Sequence, residues 1–167
     1  MGLATILIYS VIAVSTVLFW ELVAWFTLKY VMHGILWSWH RSHHAKHDHA
    51  LERNDLFALV FSIPAIFLFY YATMMSFNPY LIAVAIGITC YGAFYLIFHD
   101  VIVHHRIKWR IKRKNRYLQR MINALYIHHS RHTKEGCEAF GFLYAPKKYE
   151  LTTFEQIYPT QKTLHAN

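Results

Sequence analysis

Sulfur and acid are scarce in this sequence, and basic charge is missing from long stretches of it. Only Cys90 and Cys137 are present, one inside an apolar run and the other in a polar segment, so a disulfide framework is not expected. Nor is there a cysteine motif for an iron–sulfur cluster or haem attachment, or a flavin fingerprint. Charged residues make up 16% of the chain, against 56% hydrophobic and 17% aromatic. A soluble domain of 167 residues could hardly bury that much apolar surface, so lipid is the expected solvent.

Lys and Arg are absent from residues 1–28 and again from 54–105, and all 17 lie in 29–53 or 106–162. The formal charge of +8 could suggest a nucleic-acid partner, but no groove-reading motif accompanies it. The segregation is that of the positive-inside rule. A cleaved signal peptide would need a basic leader and a short apolar core, which residues 1–28 do not offer, so this segment is expected to stay as a membrane helix.

Three stretches are long and apolar enough to span a bilayer: 3–28, 55–75 and 80–98. The last two are joined by Ser76-Phe77-Asn78-Pro79 and read as a hairpin, with Pro64 expected to kink the second. The expected fold is an all-α integral membrane protein, one domain over 1–167, of about three transmembrane helices or at most four. A histidine-rich helical cap lies on the cytoplasmic side and the N-terminus lies outside. Residues 106–120 carry eight basic side chains among Ile, Trp, Tyr and Leu. That run suits a surface helix on anionic lipid or a docking face for an acidic protein.

What the chain has in abundance is histidine, 13 in all, every one on the cytoplasmic side or its membrane edge in this topology. His33, His40, His44 and His47 share a face if the first helix continues. His43 and His44 form a doublet, as do His128 and His129, with His132 one turn further on. His99 closes the third span and His104 follows five positions later. Neutral imidazole is the commonest ligand for iron, zinc, copper and nickel, and structural zinc usually recruits cysteine as well. His49, His105 and His165 read as interfacial. Asp100 beside His99 is a candidate for orienting an imidazole through its second nitrogen. Glu21, deep in the first span, should face the bundle or a cavity; a bond to a neighbouring helix is enough to account for it, so it is left outside the candidate site.

The segments KYVMHGILWSWHRSHH (29–44), FHDVIVHHR (98–106) and HHSRHTKEGCEAFGFLYAPKKY (128–149) resemble the bacterial β-carotene hydroxylases of the fatty acid hydroxylase superfamily. The resemblance covers nearly the whole chain. It implies histidine boxes of the forms HxxxxH, HxxHH, HxxxxH and HxxHH that hold two non-haem irons, for which zinc can substitute in a preparation, with dioxygen as co-substrate. Its metal ligands would be His33, His40, His43, His44, His99, His104, His128 and His129. Leu28 and Leu125 stand where the first histidines of two boxes would be, and His132 is the neighbour able to replace one of them.

The implied activity is hydroxylation of the β-ionone ring of a carotenoid at carbon 3, in the bacterial inner (plasma) membrane, with electrons from a ferredoxin-type donor. Two other readings stay open. One is hydroxylation or desaturation of a fatty acid or sterol, and the other is a non-catalytic carotenoid- or metal-binding membrane protein, to which the two leucines point. A bis-histidine haem protein would need its ligands inside facing spans, which these edge doublets do not supply.

Overall fold

The computed structural model describes residues 2–45, 51–104, 106, 115–150 and 156–157. His47, His49, His105 and His165 lie outside the described residues, as does the 107–114 part of the expected basic helix.

Apolar side chains run nearly all the way round the first helix, as suits lipid surroundings, and the helix itself satisfies the backbone groups that lipid cannot. Helix α1 spans Leu3–Phe26 and continues into the wider turns of Thr27–Ile35, which kink at Gly34; the two segments together run 33 residues. No residue of α1 is buried within the protein. The second span runs from Arg53 to Met75 around helix α3 (Leu56–Tyr70), and the third from Pro79 to Val103 around α4 (Pro79–Tyr95). The three expected spans are thus present, the first and third reaching further than their apolar cores because each continues into its histidines. Pro64 sits within α3, which passes through it as one helix.

Helix α4 is the centre of the bundle, with α1 and α3 both packed on it. Its buried positions include the small residues Ala83, Ala85 and Gly87, which let the helix backbones approach closely. A Cβ on Gly87 would lie 2.6 Å from the carbonyl oxygen of Ala13 and 2.6 Å from Cβ of Thr16, which only glycine avoids. The α3–α4 turn closes with Pro79 in the first turn of α4 and the Asn78 side chain accepting from the amides of Tyr80 and Leu81.

The cap is built from short pieces. Gly34 leaves helical geometry (φ −109°, ψ −108°) and ends the first rod, after which α2 (Trp37–His40) and a 3₁₀ turn (Arg41–His44) follow. Helix α5 (Arg116–His129) starts at Asn115, whose side chain accepts from the amides of Tyr117 and Leu118. It buries Met121, Ala124, Leu125, Ile127 and His128 against the ends of the spans. Among the described residues no strand occurs.

Candidate metal centre

Two kinds of local geometry bring the histidines together. In an α-helix a residue five positions on is about 140° away around the axis, so an HxxxxH pair would diverge. Here the backbone widens to i→i+5 bonding at the membrane edge, where the amide of His104 donates to the carbonyl of His99 at 2.9 Å. The His99 and His104 rings consequently stand 4.5 Å apart. The same widening lies between Leu28 and His33, whose Nδ1 bonds the Leu28 carbonyl at 2.8 Å.

The doublets do the opposite. Adjacent residues on a helical turn point about 100° apart, so each doublet serves two centres. His44 and His128 join His33 and His40, while His43 and His129 join His99 and His104, and within each quartet the ligand atoms lie within 4.8 Å of one another. The described candidate ligands therefore form two sets of four. The continuous helix expected for His33, His40 and His44 is not how they meet. The chain kinks at Gly34, and the turns beyond it fold His40 and His44 back, to ring separations from His33 of 4.6 and 5.0 Å.

The outward nitrogens fix which atoms face inward. In the first quartet the Nδ1 atoms of His33, His44 and His128 donate to the carbonyls of Leu28, Arg131 and Glu138, and His40 Nδ1 bonds Asn54 Oδ1 at 2.6 Å. Each Nε2 is then left with a lone pair. Nε2 of His40 and Nε2 of His44 are 3.0 Å apart, and Nε2 of His33 and of His128 are buried without a hydrogen-bond partner. In the second quartet Nε2 of His43 and Nε2 of His99 face each other at 2.9 Å, and Nδ1 of His129 is buried without a hydrogen-bond partner. Convergent lone pairs in a buried space repel unless a cation lies among them, so both donor sets fit a metal ion.

The electrostatics agree. Burial, with repulsion from neighbouring imidazoles, pushes His40 down to about 3 and His44 to about 4, and holds His43, His128 and His129 well below the usual histidine range. Neutral rings are the form that ligates metal.

The outer partners of the two quartets differ in charge. Backbone carbonyls and one amide support the first. The second has carboxylates: Glu52 Oε1 accepts from His43 Nδ1 at 2.9 Å, and Asp100 Oδ1 lies 3.3 Å from His99 Nδ1. Arg106 ties the acids together through Glu52 (2.8 Å) and Asp55 (2.9 Å). Glu52 and Asn54 escaped the sequence reading, although a chain with only nine carboxylates that spends two of them in Glu52–Asp55, next to a histidine box, offered a signal.

Leu28 and Leu125 are 5% and 1% exposed and belong to one apolar cluster with Met32, Phe57 and Phe142. His132 stands apart from both quartets, exposed, with a ring nitrogen on the carbonyl of His44. Both leucines line a cavity of about 770 Å³ that follows α3 from Tyr70 to Phe57 and reaches His40, His99, His128 and His129. That stretch of α3 corresponds to about 20 Å of helical rise, so the cavity is a long apolar slot ending on the histidines.

No protein-family model matches the chain, and no solved structure matches it. Named relatives do. The chain is 43% identical over 136 residues to the β-carotene hydroxylase of a Paracoccus strain, covering 81% of this chain and 83% of that protein. It is 41% identical over 137 residues to the β-carotene hydroxylase of Pantoea ananas, covering 82% and 77%. Against the chloroplastic β-carotene 3-hydroxylase 2 of Arabidopsis thaliana it is 34% identical over 120 residues, 71% of this chain and 39% of the plant protein. Two imidazole quartets at the end of an apolar slot, one buried and one partly so, together with relatives matched over four fifths of the sequence, lead to one conclusion: the chain belongs to the β-carotene hydroxylase family.

Proposed function

We propose that this chain is a non-haem di-iron monooxygenase that hydroxylates the β-ionone ring of a carotenoid at carbon 3. One oxygen atom of dioxygen enters the C–H bond and the other leaves as water, with two electrons and two protons consumed. The observation that carries the reading is the contact between the long apolar cavity and both histidine quartets.

The ligands would be His33, His40, His44 and His128 for one iron and His43, His99, His104 and His129 for the other. Iron held there supplies the activation of dioxygen. The protein's own contribution is positioning and exclusion of water. Apolar residues of α1, α3 and α4, such as Trp20, Phe61 and Ile88, line the slot and would hold the polyene chain, leaving the ring against the histidine-lined end. Asn54, Glu52 and Asp100 hold three of the imidazoles in orientation.

The segregation of Lys and Arg supports a bacterial plasma-membrane location with the quartets toward the cytoplasm and the N-terminus outside. The electron donor is an acidic ferredoxin-type protein drawn to the 106–120 run. A second reading, a metal- or carotenoid-binding protein with little turnover, is favoured by the leucines at two family histidine positions.

The test is purified protein in lipid nanodiscs, loaded with ferrous iron, given β-carotene, dioxygen and reduced ferredoxin. About two irons per chain and a 3-hydroxylated product are expected. Two irons without product would establish the second reading, and fewer than one iron per chain would sink the di-iron assignment.

A further inference from the structure

Glu21 is a carboxylate inside the first membrane span, a costly place for one unless several donors meet it. Three do. Its Oε1 accepts from the backbone amides of Phe142 (2.8 Å) and Leu143 (2.9 Å), and its Oε2 accepts from the Tyr91 hydroxyl on α4 (2.8 Å). The two amides lie 121 and 122 residues along the chain, in a loop without regular secondary structure between α5 and Lys147.

That loop is shaped around the carboxylate. A Cβ on Gly141 would come within 2.8 Å of Glu21 Oε1 and 3.1 Å of the Tyr144 carbonyl oxygen, so the close approach needs glycine. Two residues earlier Ala139 is held at φ 63°, the left-handed region that costs a non-glycine residue and persists only where the surroundings enforce it. At its ends the loop is also held by the Glu138 carbonyl on His128 and by the Leu143 carbonyl, which accepts from Tyr117 Oη. Between those points Glu21 is its hydrogen-bonded attachment to the membrane helices among the described residues.

What the loop carries is aimed at the centre. The Phe140 ring stands edge-on to His33 and His128, at 5.2 and 5.3 Å. The Phe142 ring packs on Tyr95 (4.8 Å) and His99 (5.9 Å) and forms part of the cavity wall.

We propose that Glu21, braced by Tyr91, is a positioning residue that latches the 139–143 loop to the membrane bundle, and so sets where Phe142 closes the inner end of the substrate cavity. The latch stands on its own contacts, and only the nature of the substrate rests on the carotenoid-hydroxylase reading.

The experiment is amide hydrogen exchange by mass spectrometry on the iron-loaded chain in nanodiscs, with iron content and steady-state kinetics on β-carotene measured in parallel. Glu21→Ala should speed exchange at Phe142 and Leu143 by at least about tenfold, with exchange in α4 unchanged. Glu21→Gln keeps an acceptor oxygen and should fall between Glu21→Ala and the parent. Gly141→Ala should give the same local signature by crowding Oε1 while residue 21 stays glutamate, and serves if Glu21→Ala does not fold. With iron retained, KM for β-carotene should rise about fivefold while kcat stays within about twofold, because the wall moves and the ligands do not. Unchanged exchange at these two amides, or iron lost in step with turnover, would overturn the proposal. A parent chain that turns over no carotenoid would count against the functional reading alone, since the exchange still judges the latch.

Discussion

His40 and His44 turn their Nδ1 atoms outward, to Asn54 and to the Arg131 carbonyl, and bring their Nε2 atoms to 3.0 Å from each other. Two neutral imidazoles gain nothing from that approach alone. A cation between them would be held by both, and the same relationship recurs at 2.9 Å between His43 and His99. X-ray absorption at the iron edge should accordingly show nitrogen scatterers at about 2.0 to 2.3 Å. His44→Ala and His43→Ala should each remove about one iron per chain, and a single variant that removed both would contradict two separate quartets.

Leu28 and Leu125 are buried on the cavity wall beside those quartets. An imidazole there would be an unpaired polar group unless it met the metal. Leu28→His with Leu125→His should therefore raise iron affinity at least about tenfold, the scale on which even outer partners act, and raise carotenoid turnover with it. Each single change should give less. Equal iron content and equal rates before and after would mean that the chain builds its centre from eight histidines alone.

Among the described residues, carboxylates back the second quartet and not the first. Glu52→Gln should weaken metal binding at the His43 site by about 10- to 100-fold and leave the His40 site near its original affinity. Cobalt(II) titration of the metal-free protein, followed by its visible spectrum, would resolve the two steps. Equal weakening of both steps would show that the contacts of Glu52 do not distinguish the sites.

Acid should destabilise the metal-free chain. His40 and His44 are pushed down to about 3 and 4 from a value near 6.5. Between those values and about pH 6.5 the unfolded chain binds more protons than the folded one, so stability rises with pH through that window and is lost as pH falls. The thermal midpoint of chelator-treated protein should be lower at pH 5 than at pH 7. A flat profile would mean that the rings take up protons while folded.

At Gly87 the α1 and α4 backbones touch. Gly87→Ala should cost about 1 to 3 kcal/mol through overpacking, read as a lower thermal midpoint in detergent with the iron content of the surviving protein unchanged. An unshifted midpoint would show that the helices can separate freely.

Much of this molecule was legible along the chain because its strongest physical constraints are local. Apolar length sets the spans, the absence of Lys and Arg between residues 54 and 105 marks the hairpin, and imidazole chemistry makes the histidines ligand candidates wherever they fold. Spacing could not say which histidines share a centre. That depended on the i→i+5 turns at His99–His104 and the kink at Gly34, both departures from the regular helix that a spacing argument assumes. Nor could spacing find the partners of Glu21, since its carboxylate is met by amides more than a hundred residues away. The sequence by itself determined the solvent, the spans and the ligand chemistry. Only the tertiary structure decided the division into two quartets, the carboxylates behind one of them, and the loop that Glu21 holds, because each is a contact between segments with no local preference for one another.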